Sequence, residues 1–355
     1  MKTMARDLGQ ALLALTFAAA CGGSTSVGTS SPTPATVFDE HFGVLIGNTV
    51  RAEGGPQALF SLPIASESGG VVSPDGRRLA YWAGNELRVI GVARDAQPRT
   101  LLSITDGEAA LYFAWSSDGT GIVVGVNGGG GGQGDAPPGY TALRAVDVAG
   151  GTPREIVRIK NANVVPLAWD RKAHLIAAYE PIASGTYNYD LVSEDGTVKQ
   201  TPPTTSLYFL EASHDAQQVF GHVNLPSTAL RVWPVASYEK NVDLTVPAGQ
   251  HILAVRWRPG STEIGVLFPD RLELWDASGA RHTFAVPPTS PSSDRSASLV
   301  FRADGKAALV GRRIESSPGT LETYTVAIDL ATGRNAVVQW PGDAIEPGRS
   351  VRVTP

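Results

Sequence analysis

A single cysteine is all that this 355-residue chain carries, which excludes internal disulfides, a thiolate zinc cluster and two-cysteine redox chemistry. Positive charge is scarce as well. Lys and Arg number 29 against 34 Asp and Glu, a net charge of -5, so binding to nucleic acid through its phosphates is excluded as a general function. The histidines, His41, His174, His214, His222, His251 and His282, form no i, i+2 or i+4 pair, and zinc is not expected. A pairing of His214 with His222 across a hairpin is the one metal geometry open to them; turn or surface histidines are the plainer reading. The chain has no G-x-S-x-G elbow, no H-E-x-x-H and no P-loop with its lysine. The stretch "GGGGGQGDAPPG" (128–139) opens no helix and contains neither Lys nor Arg, so it reads as a loop between strands rather than a phosphate cradle. What the chain has in quantity is turn chemistry: 39 Gly and 25 Pro among 42% hydrophobic residues, the composition of a globular, turn-rich β protein.

The front of the chain gives an address. Residues 1–20, "MKTMARDLGQALLALTFAAA", have a basic start at Lys2 and Arg6 and an apolar stretch from Ala11 to Ala20. That stretch is about half the ~20 residues needed to cross a bilayer, so it reads as a signal peptide rather than a permanent span. It ends in "AAAC", and Cys21 lies where a bacterial lipoprotein signal carries its acylated residue. The segment resembles a lipobox, with Ala18 where such boxes have Leu; cleavage after "AAA" and simple secretion is the competing reading. Residues 21–37 then form a Gly/Ser/Thr/Pro tether with nothing to bury. Gly22, rather than Asp, follows the cysteine, which implies an outer-membrane over an inner-membrane destination, lipid-anchored and facing the periplasm or the exterior.

Residues 38–355 read as one domain built on a repeat. In "VVSPDGRRLAYW" (71–82) a Ser-Pro-Asp-Gly turn joins two apolar runs; Pro74 presets the first corner and Gly76 can take the left-handed position. The shape returns in "FAWSSDGTGIVVGV", "LAWDRKAHLIAAY", "LEASHDAQQVFGHV", "VRWRPGSTEIGVLF" and "LVFRADGKAALVGR". The fourth turn residues are Gly76, Gly119, Ala173, Ala216, Ser261 and Gly305, spaced by 43 to 54 residues. A period in the forties with several short strands per unit predicts an all-β propeller of four-stranded blades. An apolar-Asp-x-x-x-Gly element carrying Asp147, Asp276, Asp329 and, with a longer turn, Asp190 accompanies it, and these aspartates are expected to accept backbone hydrogen bonds in Asx turns. Trp115, Trp169, Trp257 and Phe301 precede the first turn and are expected to pack between neighbouring blades. The ends match one further unit, giving seven blades closed by two strands from each terminus; six blades are the alternative.

The Trp-Ser-Pro-Asp-Gly-x-x-apolar-Ala-Phe/Tyr pattern followed by the Asp-Gly element resembles the TolB-type propeller repeat of bacterial envelope proteins, kin to WD-repeat propellers. The resemblance spans nearly all of residues 38–355 and implies an interaction module. Binding residues are expected at the channel mouth, where innermost strands begin: Asp106, Glu108, Asn161, Asn163, His251, Asp294, Arg295 and Asp343. Loops on the same side would add Asn85, the Gly-rich stretch, Tyr187, Asn224, Asp270, Arg312 and Arg313. The function expected from these features is a tethered, monomeric, non-enzymatic scaffold for an envelope protein or glycan, without a cofactor, although such oxygen ligands could hold Ca²⁺. The alternative is a propeller enzyme of lactonase-like or sugar-oxidising type with a metal in the central channel.

Overall fold

A computed structural model describes residues 37–65, 70–129, 139–183, 186–205, 207–223, 227–287, 294–317, 320–338 and 349–353. Cys21, Asn224 and Asp343 lie outside them, as does most of the Gly-rich stretch. The chain separates into two units, Met1–Ala35 and Thr36–Pro355, and the second consists of seven four-stranded antiparallel sheets. No helix among the described residues is long and apolar enough to cross a membrane.

Blade 1 joins the two ends. Blades 2 to 7 follow in chain order, starting at Gly70, Glu108, Val165, Leu207, Ala254 and Asp294. In blades 3 and 6 the second strand is the most completely apolar, "GIVVGVNG" (Gly121–Gly128) and "IGVL" (Ile264–Leu267). Such runs form because β-branched residues fill both faces of a strand covered by a blade on either side. Fourth strands are outermost and mostly exposed, as in Arg281–Ala285. First strands meet the first strands of neighbouring blades, so they line the axis.

The turn chemistry behaves as the sequence predicts. Ser73 Oγ donates to Asp75 Oδ1 at 2.5 Å, Arg78 N donates to Ser73 Oγ at 3.0 Å, and Gly76 adopts φ +74°. Ser116 and Asp118, then Ser213 and Asp215, repeat the arrangement at 2.6 Å. The tryptophans join blades, as expected. Trp115 packs among residues of blades 2 and 3 and donates its indole N–H to the Val71 carbonyl at 2.9 Å; Trp257 does the same between blades 5 and 6, to Glu211 O at 3.0 Å. Asp276 and Asp329 accept backbone N–H groups in Asx turns, while Asp147 pairs with Arg171 at 2.9 Å. Asp190 departs from the expectation: it is fully buried, neither carboxylate oxygen has a hydrogen-bond partner, and burial pushes its pKa up to about 6.

Seven blades are present, but their closure differs from the expected two strands from each end. The C-terminal strand Arg349–Arg352 is the first strand of blade 1, and three N-terminal strands, Phe42–Ile46, Thr49–Ala52 and Ala58–Ser61, complete it. The sequence "FGVLI" pairs directly with the C-terminal strand, Phe42 opposite Arg352. It is one of the buried second strands, because both its faces are covered.

Candidate functional site

Three of the eight residues expected at the mouth, Glu108, Asn161 and Asn163, are engaged in local hydrogen bonds. Glu108 opens the first strand of blade 3 and is held by Arg144, which donates Nη1 to Oε2 at 2.9 Å and Nη2 to Oε1 at 2.5 Å. Tyr140 and Thr105 hydroxyls donate to the same carboxylate at 3.1 and 2.9 Å, and the Arg144 hydrogen bonds draw its pKa down to about 2. Asn163 accepts from the Asn127 amide at 3.3 Å, and Asn161 sits in the left-handed region with its N–H on Gly139 O. Asp106 is exposed in the turn before Glu108. Asp294 and Arg295 begin the first strand of blade 7. Of the wider set, Arg312 is buried against the Phe268 and Pro269 carbonyls, and Asp270 pairs with Arg271. Two residues of the expectation, His251 and Tyr187, do meet in one place.

That place is a cavity of about 700 Å³ at the axial ends of blades 4 to 7. Tyr179 and Tyr187 of blade 4 meet edge to face, with ring centroids 5.2 Å apart, and form one wall. Phe209, Phe220 and His222 of blade 5 form the next, and His251 enters from the segment before blade 6. The first strand of blade 5 bulges between Tyr208 and Glu211, and Phe209 takes φ +52°, a conformation that bulky side chains rarely adopt and that marks a locally imposed geometry. A bulge re-aims the side chains beside it; here Phe209, 68% exposed, and Glu211 both line the cavity.

The electrostatics of this cavity are unlike those of the rim. Burial raises the Glu211 pKa, opposed by the Arg256 charge and by the Trp257 N–H that donates to Oε1 at 3.2 Å. Burial, then Arg256, lowers His222 to about 4, so the imidazole is neutral at neutral pH; its Nδ1 lies 2.6 Å from Ser227 Oγ. Burial likewise raises Tyr179. Arg256 approaches Glu211 through one contact, Nη1 to Oε2 at 3.3 Å. Both side chains also line a second cavity of about 560 Å³ that includes Val71, His214, Trp257 and Val300, so the pair stands between two chambers on the axis. His214 and His222 thus face different cavities. Among the described residues no group of three or more His, Cys, Asp or Glu side chains is arranged to hold a metal ion, and no ligation is drawn from them.

The sequence did hold a signal for this pair. Aligned on the first turn, the position two residues before it carries Val71, Ala114, Ala168, Glu211, Arg256 and Val300 in blades 2 to 7. Four blades use a small apolar residue there, and two adjacent blades carry opposite charges.

No family model matches the chain, and no curated protein matches it by sequence. Solved structures do match in fold. An oligogalacturonate lyase in complex with manganese superposes with a TM-score of 0.52 at 15% identity, covering 72% of this chain and 75% of its own. A prolyl endopeptidase gives 0.57 at 13% identity, covering 83% of this chain, which spans 46% of that longer protein. A TolB protein from Agrobacterium tumefaciens gives 0.46 at 15% identity over 68% of this chain and 86% of its own. The expectation of a non-enzymatic scaffold is overturned here. The architecture taken to imply a binding-only module is shared with enzymes, and a missing catalytic sequence motif says nothing of a site assembled from four blades.

Proposed function

We propose that the axial cavity is the active site of an enzyme acting on a small, hydroxyl-rich substrate of the sugar-lactone class. The observation that carries this reading is Glu211, a carboxyl of raised pKa that lines the cavity beside a cation and a neutral imidazole. A carboxyl in a cavity wall, with its proton affinity raised by burial and a cation within reach, is suited to proton transfer. In the reading, the Glu211 carboxylate takes a proton from water as the water oxygen bonds to the lactone carbonyl carbon. Arg256 offsets the negative charge gathered on the carbonyl oxygen. The ring C–O bond then breaks, the proton passes from Glu211 to the departing ring oxygen, and a hydroxy acid is released. Tyr179, Tyr187 and Phe209 supply flat apolar faces, and His222 and Ser227 supply hydrogen-bonding groups for hydroxyls. The protein works at the cell envelope, tethered through Cys21; Cys21→Ser should move it from the membrane to the soluble fraction.

The test is acid release from D-gluconolactone, followed by pH-stat with the purified propeller. Turnover by the wild type that falls at least about 100-fold in Glu211→Gln, as expected for loss of a general base, supports the reading. Inert wild-type protein, or full activity in a folded Glu211→Gln variant, overturns it.

A further inference from the structure

The Glu211–Arg256 pair, which bridges blades 5 and 6, differs from the ion pairs made within single blades. Arg231 grips Asp243 through two contacts of 2.7 and 2.8 Å, and Arg158 grips Glu155 through two of 3.0 and 2.7 Å. Such fork-to-fork geometry is what makes arginine–carboxylate pairs strong. Arg256 offers Glu211 a single nitrogen at 3.3 Å, shares it with the carbonyl of Val255, and leaves 54% of its side chain open. Nor does the architecture require charge here, since blades 2, 3, 4 and 7 fill the same repeat position with Val71, Ala114, Ala168 and Val300. A guanidinium in the wall of two adjoining cavities, loosely matched to a carboxylate from its own chain, is a binding group whose place is being kept.

We infer that Arg256 is a carboxylate-recognition residue and that Glu211 occupies it only until the carboxylate of an acidic ligand, such as a sugar acid, takes its place in two-pronged contact. This deepens the reading of the cavity as an active site and rests on it for the ligand class. Displacement also frees Glu211 from the cation that holds its proton affinity down. The groups around the exchange are His222 and Ser227 of blade 5, His251 and Trp257 of blade 6, Tyr179 and Tyr187 of blade 4, Ser298 of blade 7, and His214 on the side of the second chamber.

The experiment is calorimetric titration of the intact domain with D-gluconate, alongside Trp257 fluorescence, because Glu211 accepts the Trp257 N–H and receives its indole at the backbone carbonyl. Glu211→Gln removes the internal competitor and should tighten D-gluconate binding about tenfold, the effect of about 1.4 kcal/mol. Arg256→Val, which installs the residue used by other blades, should abolish binding while leaving the melting temperature in place. Unchanged or weaker affinity in Glu211→Gln, binding that survives Arg256→Val, or equal affinity for inorganic phosphate would each overturn the inference. Gluconate binding that follows this pattern without lactone turnover would sink the catalytic reading and leave the recognition role standing; turnover with unaltered gluconate affinity would do the reverse.

Discussion

Glu108–Arg144 in blade 3 and Glu211–Arg256 at the axis are the same chemical pair in opposite conditions. The first has each carboxylate oxygen engaged by more than one donor and a Glu108 side chain only 8% exposed. The second has one long contact and two half-open partners. Burial acts on both carboxyls, but hydrogen bonds overwhelm it at Glu108 and fail to at Glu211, so the two pKa values move apart. A saturated pair is committed to the architecture. An unsaturated one in a cavity retains unused capacity for a ligand.

The contrast can be broken most directly at Glu108. Glu108→Ala strips Arg144, itself 16% exposed, of its main partner, and removing one member of a buried pair costs about 3 kcal/mol or more. The melting temperature should fall by several degrees; an unchanged value would show the pair to be ornamental. Acid sharpens the same point. The folded pKa of Glu108 lies below its ordinary value, so its stabilisation is complete above about pH 4.5 and disappears as pH falls toward 2. Urea unfolding at stepped pH should show this slope in the wild type and lose much of it in Glu108→Gln.

At His222 the folded pKa is also depressed, from 6.5 to about 4, and the sign is that of a base kept neutral. The unfolded chain binds a proton before the folded one does, so stability declines as pH drops from 6.5 toward 4. His222→Gln, neutral throughout, should flatten that part of the profile; an identical slope would mean that the imidazole protonates freely. Glu211→Gln should leave the melting temperature level, since a single 3.3 Å contact between partly open side chains contributes little. A fall of several degrees would class Glu211 with Glu108. The mildest change is Val71→Glu, which copies the Glu211 charge into an exposed position of blade 2. Circular dichroism melts should move by no more than about 0.5 kcal/mol equivalent, confirming that the repeat position tolerates charge without needing it.

The fold was legible because its signals repeat. Ser-Asp turns recur with Ser73, Ser116 and Ser213, and Trp115, Trp169 and Trp257 fall at one register. The closure was misjudged because second and third strands share a similar apolar pattern, and only covering on both faces assigns "FGVLI" to the second. At the site, His251 and Tyr187 could be read from their places near strand starts. Glu211, Arg256 and His222 could not be read that way, since they lie within strands rather than in loops. For Glu211 and Arg256 the signal is a departure from the repeat, visible only when blades are compared position by position.

The single strand Arg349–Arg352 also bears on how the molecule comes into being. Its partner, Phe42–Ile46, lies some three hundred residues earlier in the chain, and Phe42, Val44 and Leu45 are buried in the closed ring. Contacts of such sequence separation form slowly. Blades 2 to 7 each form from one contiguous stretch of chain, whereas blade 1 stays a three-stranded sheet with one edge bare until the C-terminal strand joins it. Until the ring closes, that edge can pair with the same edge of another copy, so an unclosed chain is the form of this fold most exposed to aggregation.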